Sequence, residues 1–284
     1  MLARNRYGVS LQAAGISGYD LMFRRSGALP GTPRVPFTLG EDVVGVVDKL
    51  GEGVSSLEPG QVVAGATVCL GVGGGYTEYL CLPESEWVPV PSGLQPAEAV
   101  CAGVNYLTAQ NVMHGIAKVQ RGERVLVQGA AGGVGSALLD LGRLAGLEMY
   151  GTASKHNHGL VTAFGATPID YRSEDFVERI RQLTGDGVDV VLDPSGGGRQ
   201  FRRAYRALRK GGRLVWFGVA ATKQKGLLVI PFTLLTVILL SLWPDGKQVP
   251  LTGDLSKENA WYRETLAELL DLLAAGKLNP AVAE

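Results

Sequence analysis

The most constraining stretch of the chain is the run Gly129-Ala130-Ala131-Gly132-Gly133-Val134-Gly135, which lies between an apolar strand pattern, Arg124 to Gln128, and a helix pattern. The helix pattern places Val134, Ala137, Leu138, Leu141, Leu144 and Ala145 on one face and stops at Gly146. Glycines at a strand-to-helix turn let the backbone approach a pyrophosphate, whose charge then meets free amide N–H groups and the positive helix end. An ordinary tight turn is the bland alternative. The strand before it and the helix after it favour nucleotide binding. Residues 124 to 154 are therefore read as the phosphate-binding start of a cofactor domain, with Gly129, Gly132, Gly133, Val134 and Gly135 forming the turn against the pyrophosphate.

Alternation continues beyond that unit. Strand patterns at Glu148 to Thr152, Val188 to Asp193 and Arg213 to Gly218 alternate with helix patterns near Phe176 to Leu183 and Phe201 to Leu208, which predicts a parallel sheet covered on both faces. The first hundred residues read differently, as short strands at Gly8 to Ala14, Val43 to Val47, Val62 to Val68, Tyr76 to Leu82 and Trp87 to Val90. Gly51-Glu52-Gly53, Pro59-Gly60 and Gly73-Gly74-Gly75 punctuate them. A helix runs from about Pro96 through Met113, and a last one from about Trp261 to Ala275.

Cofactor choice is read at the end of the second strand of such a sheet, where an acid would hydrogen-bond the adenosine ribose of NAD. The residues there are Thr152-Ala153-Ser154-Lys155-His156, and Arg172 follows the third strand pattern through Ile169-Asp170-Tyr171. A hydroxyl and cations suit a 2′-phosphate, so NADP(H) is favoured over NAD(H); plain surface solvation is the alternative for Lys155 and Arg172. The later strand-end loops, Asp193-Pro194-Ser195-Gly196-Gly197 and Phe217-Gly218-Val219, are expected to face the nicotinamide, or else to be simple turns.

The 284 residues carry a formal net charge of zero, so no overall field favours nucleic acid or an anionic membrane. Arg199, Arg202, Arg203, Arg206, Arg209, Lys210 and Arg213 are spaced largely as one helix side, with Phe201, Tyr205 and Leu208 on another; a solvated face is favoured over a binding patch. Three unpaired cysteines, Cys69, Cys81 and Cys101, suit a reducing cytoplasm, and no secretory signal opens the sequence. The apolar segment Leu227 to Trp243 is marginal in length for a membrane span. A buried or subunit-contact element is favoured there over insertion, so membrane association is not the preferred reading.

Several motifs together resemble the zinc-independent quinone oxidoreductase branch of the medium-chain dehydrogenase/reductase superfamily. They are Ala13-Ala14-Gly15-Ile16-Ser17, Gly40-Glu41-Asp42-Val43-Val44-Gly45, Val104-Asn105-Tyr106-Leu107-Thr108-Ala109, the Gly129 to Gly135 turn, Gly165-Ala166-Thr167 with Ile169-Asp170-Tyr171, and Leu208 to Gly212. Asp193-Pro194 and the apolar stretch after Gly226 look closest to the vesicle amine transport subgroup. The resemblance implies an α/β fold: a doubly wound Rossmann sheet plus a GroES-like β-rich catalytic domain. It divides the chain into a catalytic part (1–97), an NADP(H)-binding domain (98–248) and a return segment (249–284), with the catalytic domain continuing beyond both ends. It also implies a homodimer formed largely through the Rossmann sheet edges, substrate and nicotinamide meeting between the domains, Ser154 and Tyr171 near the adenosine phosphate, and Thr108 near the nicotinamide. Asn157 stands where relatives have lysine, a departure that counts against NADP(H) unless Lys155 substitutes.

Zinc is disfavoured on the residues themselves. A catalytic zinc needs about three Cys, His or carboxylate ligands and a structural one about four, yet Gly15 to Asp20 lacks cysteine and His114, His156 and His158 form no matching set. Glu41 stands where zinc-dependent relatives place histidine. Hydride delivery to a quinone or α,β-unsaturated carbonyl is then the leading chemistry, with Ser17, Tyr19 and Asn105 as the polar candidates near the substrate; a tyrosine that relatives carry shortly before the position of Pro30 is missing. A catalytically weak nucleotide-binding protein acting at membranes or with partners is the second reading, and an enoyl-thioester reductase the third.

Overall fold

The protein is described here by a computed structural model, which defines residues 4–26, 36–67, 74–218, 229–250 and 259–282. Val68, Cys69, Val219 and the position of Pro30 lie outside them, as do the first two residues of the apolar segment. Backbone proximity divides the chain into one unit of Met1–Thr108 with Asp254–Glu284 and another of Ala109–Gly253.

The first unit is built on an antiparallel five-stranded sheet of β1 (Arg6–Ala14), β2 (Asp42–Leu50), β3 (Val62–Ala66), β4 (Tyr79–Pro83) and β5 (Val88–Pro89), ordered β4-β1-β2-β3-β5. Alternation buries Tyr7, Val9, Val43, Val47, Val63 and Leu82 with Leu57 and Trp87 on one face. Helix α1 (Gly18–Ser26) follows β1. The expected single helix from Pro96 is broken into α2 (Pro96–Ala99), a 3-10 turn and α3 (Val104–Gln110), with Gly103 at the break.

The second unit holds the parallel sheet. Its strands are β6 (Arg124–Val127), β7 (Glu148–Ala153), β8 (Thr167–Asp170), β9 (Val188–Asp193) and β10 (Leu208–Trp216), ordered β10-β9-β6-β7-β8. Helices α4 (Gly133–Leu144), α5 (His158–Ala163), α6 (Phe176–Thr184) and α7 (Gly198–Ala207) connect them. The strand order reverses at β6, the position at which doubly wound sheets bind nucleotides.

Two departures from the sequence expectation have clear causes. Helix α7 ends at Ala207 and Leu208 enters β10 opposite Val188, with a register shift before Arg213. Arg209 and Arg213 therefore leave the helix face and pair with Asp189 and Glu123, the latter at 2.6 Å. Arg203 joins Asp175 at 3.0 Å, so the arginine set is partly structural rather than one solvated stripe. The apolar segment forms α8 (Val229–Ser241), and its polarity is inverted: Thr233 is 0% and Thr236 9% exposed, while Phe232 is 64%, Ile238 55% and Leu239 58% exposed. No helix among the described residues is long and apolar enough to cross a membrane.

The last helix, α9 (Asn259–Ala274), belongs to the first unit. Tyr262 Oη accepts from Ala66 N at 2.8 Å and donates to Glu86 O at 3.1 Å, and Arg263 donates to Glu84 O at 3.0 Å.

Candidate functional site

The glycine turn after β6 has the shape a pyrophosphate needs. Gly129 sits at φ +66°, a left-handed conformation that a side chain would strain. A Cβ on Gly135 would drive into the Gly129 carbonyl oxygen and meet Ala130 Cα and C at 2.9 Å. The turn is braced from β7, because Ala130 N donates to Thr152 O at 3.0 Å and Gly129 N to Thr152 Oγ1 at 3.1 Å. Gly132 caps α4 without a side-chain hydrogen bond. The first-turn amides of Gly133, Val134 and Gly135 thus lack a side-chain cap and are available to an anion.

At the end of β7, Ser154 Oγ lies 3.1 Å from His156 Nδ1, and Lys155 is exposed. At the end of β8, the Arg172 guanidinium lies 5.8 Å from the centre of the half-exposed Tyr171 ring. Asp170, the last residue of β8, accepts from Arg172 N at 3.1 Å and Ser173 Oγ at 2.9 Å, and its own N donates to Glu174 Oε1 at 3.0 Å. The corner therefore presents hydroxyl and cationic groups, with its carboxylate already hydrogen-bonded. At the ends of β9 and β10, Ser195 and Gly196 donate to Asp193, and Phe217 N donates to Asp193 O.

The first unit brings together a separate polar cluster. Ser17 caps α1: its Oγ accepts from Tyr19 N and Asp20 N at 3.1 and 3.2 Å, while Asp20 Oδ2 accepts from Ser17 N at 2.7 Å. This is a reciprocal capping box, so the Ser17 hydroxyl is occupied locally. Ser17 Oγ also lies 2.7 Å from Asp20 Oδ2 and 3.4 Å from Glu41 Oε2. Asp42, buried next to Glu41, accepts from Val104 N at 2.5 Å, and a Cβ on Gly103 would collide with its carboxylate. Tyr19 packs edge-on against Phe23 at 4.7 Å, and Asn105 and Thr108 are half-buried on α3.

Burial pushes the Glu41 carboxyl up to about 7; the charge of Asp20 acts in the same direction and the Ser17 hydroxyl opposes it. Burial also pushes Asp42 up to about 7, against the Val104 hydrogen bond and with help from Glu41 and Asp20. The Tyr19 phenol is raised by burial and then by Glu41. The sequence reading passed over Asp20, Asp42 and the proton-holding capacity of Glu41. The Ser17-x-x-Asp20 spacing was a usable local signal for the cap, whereas the link from Asp42 to Val104 spans 62 positions and leaves none.

Comparison with known proteins assigns the same two parts. Residues 4–92 match the alcohol dehydrogenase GroES-like domain family and residues 133–244 the zinc-binding dehydrogenase family. The synaptic vesicle membrane protein VAT-1 homolog of Danio rerio is 31% identical over 284 residues, covering 96% of this chain and 57% of that protein. A quinone oxidoreductase structure from Pseudomonas syringae aligns with a TM-score of 0.82 at 28% identity, covering 98% of this chain and 83% of the other. The chain belongs to the medium-chain dehydrogenase/reductase superfamily. Escherichia coli quinone oxidoreductase, solved with NADPH, aligns with a TM-score of 0.81 at 25% identity, covering 99% of this chain and 83% of the other. The chain spans little more than half the length of the VAT-1 homologs it matches, 57% in fish and 52% in human.

Among the described residues no group of three His, Cys, Asp or Glu side chains is placed to hold a metal ion. The described residues therefore offer no donor set that fits zinc, although one of the matching families is named for it.

The raised carboxyls of this superfamily member carry a stability signature. A carboxyl with a higher pKa folded than unfolded binds more protons in the folded state, so its contribution to stability falls as pH rises between the two values. For Asp42 that window runs from its ordinary 3.8 to about 7. Asp42→Asn keeps an acceptor for Val104 N and removes the titration. Urea midpoints measured across this window should therefore decline more steeply with pH for the wild type than for Asp42→Asn, and parallel slopes would contradict the assignment.

Proposed function

We propose that this chain is a zinc-independent, NADPH-dependent oxidoreductase acting on quinones or α,β-unsaturated carbonyl compounds. The observation that carries the reading is the Gly129 to Gly135 turn, backed by a corner of Ser154, Lys155 and Arg172 around an already engaged Asp170. Those residues fit an adenosine 2′-phosphate better than a bare ribose diol. Bound NADPH supplies the hydride. The chain's own contributions are to fix the pyrophosphate on the α4 amides and to present Ser195, Gly196, Phe217 and Gly218 to the nicotinamide.

The test is NADPH oxidation with a panel of quinones and enones, in the presence of a chelator. Turnover that survives chelation and exceeds that with NADH supports the reading. A full panel without turnover overturns it.

We also propose a homodimer formed through α8. Its outward face presents Phe232, Leu235, Ile238 and Leu239, continued by Leu242 at 76% exposure. A contiguous apolar surface of this kind is characteristic of an interaction site, and no Lys or Arg lies between Val229 and Trp243 to meet anionic lipid headgroups. Light scattering should give twice the chain mass for the wild type and a monomer for Leu239→Asp. The same face supports the second reading, a weakly catalytic protein at membranes. Flotation of the wild type with vesicles, together with no NADPH turnover, would select that one. The free thiols of Cys81 and Cys101 accord with the cytoplasmic location we assign.

A further inference from the structure

The two loops expected at the nicotinamide end converge on one buried residue. Asp193 is the last residue of β9 and is fully buried. Its Oδ1 accepts from Ser195 N at 2.7 Å, Ser195 Oγ at 2.5 Å and Gly196 N at 3.3 Å, and its backbone oxygen accepts from Phe217 N at 3.0 Å. The side chain thus organises the loop after β9 while the main chain holds the loop after β10. The two loops are also locked to each other: a Cβ on Gly218 would meet Pro194 O at 2.6 Å, and Trp216 Nε1 donates to Gly218 O. From the far side, Thr233 Oγ1 of α8 accepts from Gly197 N at 2.7 Å.

This floor also has unfilled hydrogen-bonding capacity. Asp193 Oδ2 and the buried Gln128 Nε2 have no partner among the described residues. Gln128 N donates to Leu192 O at 3.0 Å, which sets Gln128 level with Asp193 on the neighbouring strand. Unsatisfied buried polar atoms are uncommon away from functional sites.

We infer that Asp193 is a positioning residue: it shapes the Ser195–Gly196 and Phe217–Gly218 loops for the nicotinamide end of the cofactor, acting as a hydrogen-bond acceptor and not as a charge. The inference rests on the NADPH reading above. Burial raises the Asp193 carboxyl above the ordinary carboxylate range, which accords with a role that a neutral acceptor can fill. The Asp193→Asn side chain keeps the oxygen that Ser195 and Gly196 use, and Asp193→Ala removes it.

The experiment compares the wild type, Asp193→Asn, Asp193→Ala and Ser195→Ala by NADPH fluorescence titration, by steady-state kinetics and by amide hydrogen exchange without cofactor. Loss of several buried hydrogen bonds in Asp193→Ala should raise Kd and KM for NADPH about tenfold or more and accelerate exchange at residues 195, 196 and 217. Asp193→Asn should return both readouts to within about threefold of the wild type. Should Asp193→Ala not fold, Ser195→Ala, which removes one donor to Asp193, should raise the NADPH Kd by about threefold to tenfold. Wild-type affinity in Asp193→Ala, no rescue by Asp193→Asn, or wild-type affinity in Ser195→Ala alongside an unfolded Asp193→Ala overturns the inference alone. Absence of NADPH binding by the wild type overturns the cofactor reading and this one with it.

Discussion

Alanine at Gly135 is expected to cost the chain most of its NADPH affinity while leaving the first unit folded. A Cβ at that position meets main-chain atoms, the Gly129 carbonyl oxygen and Ala130, and main chain cannot turn aside as a flexible side chain can. The turn must open or the start of α4 must tilt away. Overpacking of this kind costs about 1–3 kcal/mol, and it falls on the segment whose amides we propose as the pyrophosphate site. We expect the NADPH Kd to rise by about fivefold to 150-fold, since roughly 1.4 kcal/mol corresponds to a factor of ten. Two neighbours calibrate the effect. Gly129 has room, with only Pro194 Cγ at 3.5 Å, but its positive φ strains a side chain; Gly132 has φ −81° and meets only the Gly129 oxygen, at 3.3 Å. Fluorescence titration should therefore rank the losses Gly135→Ala, then Gly129→Ala, then Gly132→Ala. A different order, or near wild-type affinity in Gly135→Ala, would remove these glycines from the cofactor site.

How much of this was legible in sequence depends on the range of each interaction. The β6–turn–α4 unit is written in consecutive residues, as is the Asx-type turn in which Asp193 caps Ser195 and Gly196. The reading of the arginine run as largely one helix side failed at Arg209 because pairing with β9, not local spacing, draws Leu208 into the sheet opposite Val188. The inverted face of α8 is likewise set by a distant partner. Thr233 is turned inward by Gly197, and a segment almost uniformly apolar gives no periodicity from which to predict that orientation. The acidic cluster around Glu41 is the extreme case: it joins a helix cap at Ser17, the start of β2 and the break before α3. Each contributor looks ordinary alone, and only their packing raises the carboxyl pKa values.

Glu41 is where that packing has its largest chemical consequence. When hydride reaches the β-carbon of an enone, negative charge builds on the carbonyl oxygen and α-carbon, and a positioned acid lowers the barrier by protonating it. Such an acid works best with a pKa near the working pH, and its removal typically costs 10²–10⁴-fold. Glu41, raised to about 7 by burial and by Asp20, is partly exposed and meets that condition. We propose Glu41 as that acid on the reductase reading; its protonated carboxyl would then be the active form, so kcat for enones should be flat below about pH 7 and fall above it. Glu41→Gln cannot donate the proton, and should lower enone kcat by about a hundredfold or more with the fall near pH 7 abolished. Its KM for NADPH should be unchanged, because the glycine turn is untouched. Quinone reduction places charge on an oxygen that water can protonate after the hydride has moved, so the same variant should lose less activity on quinones. Equal losses on both substrate classes would mark Glu41 as a structural support of the Ser17 cap. A pH profile retained in Glu41→Gln would assign the proton to another group.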